Sequence, residues 1–101
     1  MTHDSQLTAK RFVVRGRVQG VGFRWFVERE AQRLGVAGWV RNNEDSTVEC
    51  LAAGPDDKVR KLKAKLEQGP RGSRVDVVDE YPVSPEETTG ALKSFEIRGA
   101  W

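Results

Sequence analysis

An α+β sandwich, with two helices on one face of a mostly antiparallel sheet, is the fold class this sequence predicts. Three observations support it. Two segments of about a dozen residues carry apolar side chains at three- and four-residue steps, as amphipathic helices do. Around them lie short stretches of period two, as in strands with one buried face. The two kinds of segment follow one another as βαββαβ plus a C-terminal strand within 101 residues, about the size of one domain.

Residues 11–18 form the first expected strand. Phe12, Val14 and Val18 fall on one side, and Arg11, Arg15 and Arg17 on the other. Gly16 marks a bend or a close backbone approach. A short loop, Gln19 to Gly22, comes next. From about Val21 or Gly22 to Leu34 the period changes. Phe23, Phe26, Val27, Glu30, Ala31 and Leu34 share a stripe that is apolar except for Glu30. Gly35 is a natural C-terminal cap.

Residues 36–42 and 47–53 read as a hairpin around a turn at 43–46, rich in side chains that bond their own backbone. Gly54, Pro55, Asp56 and Asp57 open the second helix. Proline suits a first helical turn, and early acids complement the helix dipole. Val59, Leu62 and Leu66 form its apolar stripe, and Asp57 with Lys61 makes an i,i+4 pair. Gly69 and Pro70 stop it, and residues 70–73 form a loop.

Residues 74–83 are a strand in which Val75 and Val77 alternate with Asp76. Residues 84–91 are a loop, and residues 92–98 a last strand with Phe95 and Ile97 facing one way. Two helices with one apolar stripe each are covered by one sheet. Right-handed crossovers then make the arrangement a ferredoxin-like α/β sandwich.

Composition narrows the class of function. The net charge is only +2, and basic residues are interleaved with acids, as in Glu28, Arg29 and Glu30. That is a solvated mixed-charge surface, not the basic stripe of a nucleic-acid binder. RNA-binding domains of this architecture use aromatics on the two central strands. Here Phe12 lies on the first strand, but residues 47–53 contain no aromatic, so a nucleic-acid-binding module is the weaker alternative. One cysteine, Cys50, allows no intrachain disulfide and reads as a buried structural residue. No apolar run approaches the roughly 20 residues of a membrane span. Residues 1–8 are expected to be a disordered polar tail, residues 9–101 one domain, and the compartment the cytoplasm.

The segment most suggestive of chemistry is residues 16–24 (GRVQGVGFR). It runs from a strand end, through Gly20 and Gly22, into a helix N-terminus. Such amides lack intrahelical partners and, with the helix dipole, attract anions. Glycines let successive amides converge on a phosphate. Arg24 follows in the first turn, where a cation is disfavoured unless an anion is present, and its planar fork matches phosphate oxygens. No lysine and hydroxyl residue follow as in a P-loop, and the spacing fits a dinucleotide-binding turn only loosely.

The second segment is residues 38–42 (GWVRN). Asn is a poor strand residue. At a strand end, Asn42 is either a turn former or an amide that holds a water. Trp39 reads as a packing residue. Arg41 and Arg17 either add positive potential near the site or are ordinary solvent-facing charges.

These two segments, in this order and separation, resemble the signatures of the acylphosphatase family. The Gly54 and Pro55 helix start, residues 69–75 (GPRGSRV) and a last strand with Phe95 and Ile97 are similar too, so the likeness runs over residues 11–98. The resemblance implies hydrolysis of the carboxyl–phosphate bond of acyl phosphates without metal or cofactor, with inorganic phosphate as product and competitive inhibitor. It implies that Arg24 binds the substrate phosphate, that the amides of Gln19, Gly20, Val21, Gly22, Phe23 and Arg24 cradle it, and that Asn42 positions the attacking water. The alternative to a free-standing enzyme is a fragment of a larger carbamoyl-phosphate-handling enzyme, and a monomer is expected. The turn at 43–46 lacks the glycine often found there, and the segment from Tyr81 to Leu92 is longer than expected.

The chemistry is self-consistent. When water attacks phosphorus, the leaving group is a carboxylate whose acid has a pKa of about 4. It departs without a proton, so no general acid is needed. Positioning and charge stabilisation remain, the usual demands of phosphoryl transfer.

Overall fold

The computed structural model describes residues 7–84 and 94–99. His3, most of the loop expected over 84–91, and the expected strand start at Leu92 lie outside the described residues. The elements run β1 (Leu7–Arg17), α1 (Phe23–Leu34), β2 (Ala37–Asn42), β3 (Val48–Pro55), α2 (Asp56–Gln68), β4 (Arg74–Pro82) and β5 (Phe95–Arg98). They form one sheet in the order β4-β1-β3-β2-β5. β1 is antiparallel to both β3 and β4, β2 is antiparallel to β3, and β5 joins β2 in parallel. This is the ferredoxin-like arrangement with one added strand.

The core lies between the helices and one face of the sheet. Phe12, Val14, Val40, Val48, Cys50 and Ala52 from the strands meet Phe23, Val27, Ala31, Val59, Leu62 and Leu66 from the helices. Cys50 is fully buried, and burial pushes its thiol well above the ordinary range. Phe12 is 1% exposed, so this strand-one aromatic faces the helices and not the open face where RNA would stack.

Four expectations need correction. β1 begins at Leu7, not after residue 8: Leu7 and Thr8 pair with Pro55 and Gly54, and the Thr8 hydroxyl donates to Asp56 at 2.9 Å. Pro55 ends β3 in an extended conformation (ψ 141°) and stands before α2, not in its first turn. The ion pair in that turn is Asp56–Arg60, not Asp57–Lys61. In β4 the alternation slips. Gly16 pairs with Val75 and Arg15 with Val77, so Asp76 is an extra residue, a bulge. Val75 and Val78 therefore both pack on the core, and Val77 turns outward, 45% exposed.

The open face of the sheet is spanned by a ladder of polar and aromatic side chains. Arg11 lies over Tyr81 and donates to Glu49; Arg41 donates to the same carboxylate and lies over Trp39, whose ring Arg98 also approaches. Trp39 thus packs between two guanidiniums rather than in the core. Arg41 is committed to Glu49 and Trp39 rather than to the loop between β1 and α1.

Candidate active site

The loop between β1 and α1 is built on two left-handed glycines. Gly20 (φ 75°) and Gly22 (φ 76°) flank Val21, and Ser46 is the one non-glycine residue with positive φ among the described residues. Alternation of this kind turns successive amides toward one side, the geometry of an anion nest. Space is open where a Cβ would stand at either glycine, so φ, not crowding, makes glycine necessary here.

Gly22 is also the N-cap of α1. It offers no side-chain cap, and the first turn holds no acid. The first helical bond runs from the Phe26 amide to the Gly22 carbonyl at 3.1 Å. The amides of Phe23, Arg24 and Trp25 therefore have no helical acceptor and carry the positive end of the dipole.

Arg24 is half-buried, and its Nη1 donates to the carbonyl oxygen of Arg98 at 3.0 Å. β5 thus holds one end of the guanidinium. Asn42 is the last residue of β2, in register with Val48 on β3. The ends of β1 and β2 lie at the same end of the sheet, because both strands run antiparallel to the β3 between them.

Gln19, Gly20, Gly22, Phe23, Arg24 and Asn42 share one cleft of about 330 Å³, with Val18 and Trp25 completing its walls. Of the residues expected at the site, Val21 alone is not on the wall; its side chain packs against the core. Among the described residues, the lining includes one cation, Arg24, and no carboxylate. Such a site can bind a small anion at its amides and guanidinium and hold a second small polar molecule at a carboxamide. Among the described residues, no group of three or more His, Cys, Asp or Glu side chains is placed to hold a metal ion.

The acylphosphatase family model matches residues 10–97. The chain belongs to the acylphosphatase family. An acylphosphatase of Koribacter versatilis (strain Ellin345) is 55% identical over 92 residues, covering 91% of this chain and 81% of that one. The crystal structure of acylphosphatase from Bacillus subtilis matches with a TM-score of 0.84 at 35% identity, over 93% of this chain and 100% of that one. Full-length HypF, in a phosphate- and nucleotide-bound form, contains a similar domain: TM-score 0.82 at 29% identity, over 93% of this chain but 12% of that one. This chain is a hydrolase of the carboxyl–phosphate bond of acyl phosphates.

Sequence reasoning missed two site features. One is the Arg98 carbonyl that holds Arg24. The other is the Gln19 side chain, which does not point at a ligand: its Nε2 donates to the carbonyls of Asn43 and Thr47, each at 2.9 Å. Neither leaves a local signal, because both join residues far apart in the chain.

Proposed function

We propose that the amides of residues 19–24 and the Arg24 guanidinium bind the phosphoryl group of an acyl phosphate, and that Asn42 places water in line behind phosphorus. The observation that carries this is the convergence of loop, Arg24 and Asn42 on one cleft. Amides and guanidinium then face the equatorial oxygens, whose charge they stabilise in the transition state. The acyl carboxylate leaves as an anion without help. The water's proton passes to a phosphate oxygen of the substrate, since among the described residues the lining offers no carboxylate or imidazole to take it. We further propose that inorganic phosphate competes for the same nest, and that the protein works as a cytoplasmic monomer.

The test is hydrolysis of benzoyl phosphate by the purified protein, with and without EDTA, and with Arg24→Ala alongside; carbamoyl phosphate is a parallel substrate. Rapid turnover that EDTA leaves intact and Arg24→Ala abolishes is the expected result. Turnover that survives in the variant would remove Arg24 from the mechanism.

A further inference from the structure

We infer that the Gln19 side chain is a positioning residue that sets the separation between the phosphate loop and Asn42. The inference rests on the assignment of phosphate to the loop and of water to Asn42.

Gln19 belongs to the loop by its backbone and to the β2–β3 turn by its side chain. Both N–H groups of its carboxamide are spent, one on Asn43 O and one on Thr47 O, at 2.9 Å each. A flipped amide would set its oxygen against two carbonyls, so the orientation is fixed. The Thr47 carbonyl also accepts from the Asn43 amide at 2.9 Å, which uses its second lone pair.

The turn that Gln19 grips is stiff. The Asn43 side chain donates to Thr47 Oγ1 at 3.0 Å and to the Glu49 carboxylate at 3.2 Å. The Asp45 carboxylate accepts from the Thr47 amide and hydroxyl at 3.1 and 2.6 Å. Asn42 is bonded covalently to Asn43, so the point at which Gln19 holds the Asn43 carbonyl also fixes Asn42 against the loop. The last sheet-paired residue of β1 before the loop is Arg17. Beyond it, the sheet itself does not fix the loop against β2.

In-line attack is sensitive to such a distance: misplacement by about 1 Å can cost roughly 10²-fold. The phosphate amides are set by the left-handed Gly20 and Gly22 and by the N-terminus of α1, none of which the latch bonds. Loss of the side chain should therefore lower kcat while leaving phosphate binding in place.

The experiment is a double-mutant cycle on acetyl or benzoyl phosphate hydrolysis, using Gln19→Leu, Asn42→Ala and both together. Inorganic phosphate inhibition and Tm are measured on each. The expected result is a kcat for Gln19→Leu reduced about tenfold or more, an unchanged phosphate inhibition constant, and no further loss when the change is made in the Asn42→Ala background. Gln19→Glu, which keeps the size but presents an acceptor to the two carbonyls, should behave likewise if Gln19→Leu does not fold. A lower Tm with unaltered kcat would overturn the inference and leave Gln19 a stabilising contact. So would kcat losses that multiply in the double variant, or phosphate inhibition that falls together with kcat. Full activity in Asn42→Ala would instead bring down the water-positioning assignment and this inference with it.

Discussion

The guanidinium of Arg24 donates from Nη1 to the backbone carbonyl of Arg98, 3.0 Å away, so the last strand holds the first turn of the first helix. A guanidinium has five N–H donors in a rigid fork. One bond to Arg98 leaves the other donors for an anion in the cleft.

Arg24→Ala should therefore lower kcat/KM by about 10³-fold or more, the scale seen when an arginine directed at a transferring phosphoryl group is lost. It should also weaken phosphate binding, measured by competitive inhibition or calorimetry. Arg24→Lys should recover only part of the loss, because a lysine ammonium cannot span Arg98 and two phosphate oxygens in one plane. Phosphate binding of wild-type strength in Arg24→Ala would contradict the assignment.

Asn42→Ala should separate the two halves of the site. A misplaced water should cost about 10²-fold in kcat, while the phosphate inhibition constant stays near its wild-type value because the nest and Arg24 are untouched. Steady-state kinetics with phosphate as inhibitor gives both numbers from one series.

Ser46 carries φ 76° in the β2–β3 turn, where the expected glycine is missing. A non-glycine residue in this left-handed region costs about 1–2 kcal/mol, part of which glycine returns through its looser unfolded state. Ser46→Gly should stabilise the fold by about 0.5–1 kcal/mol, a Tm rise of roughly 2–5 °C for a domain of this size. The Ser46 amide bond to the Asn43 carbonyl at 3.2 Å survives the change. Thermal unfolding is the measurement, and a lower Tm would show that the serine side chain is needed.

Glu49 supplies a pH dependence. Burial is the largest single influence on its carboxyl and favours the neutral acid. Hydrogen bonds from Arg41, Asn43 and Arg11, with the Arg41 charge, together outweigh it and hold the carboxyl below its ordinary value of 4.5. The stabilisation is thus complete above that ordinary value and is lost as pH falls through the lower folded value. Glu49→Gln should cost about 1–2 kcal/mol at pH 7, limited by the half-exposed arginines, and the deficit should shrink in acid. Asp45 and Glu80 are lowered as well, so the difference between variant and wild type, by urea unfolding across pH, isolates Glu49. A deficit that does not shrink as pH falls below the ordinary carboxylate value of 4.5 would contradict this account.

Periodicity made most of the fold legible. Both helices, the hairpin and the left-handed cap at Gly35 followed from local pattern. What failed depended on partners distant in sequence. Leu7 and Thr8 have no signal of their own and become strand because the end of β3 lies alongside. Val77 looked inward until the bulge opposite Gly16 shifted the alternation. The expected site residues other than Val21 converge on one cleft because the two motifs sit at matching strand ends. The Gln19 and Arg98 contacts were hidden because a carbonyl has no identity in a sequence.

β3 lies between β1 and β2, so the strand leading into the glycine loop and the strand bearing Asn42 stand two interstrand spacings apart, about 10 Å. Backbone pairing acts as a ruler for the two strand ends, across which the Gln19 side chain then sets the loop against Asn42. Repacking beneath the helices can alter stability without moving either end of that ruler. A break in the pairing of β3 would change the gap itself, so amide exchange along Val48–Pro55 is where loss of catalytic geometry would first be seen.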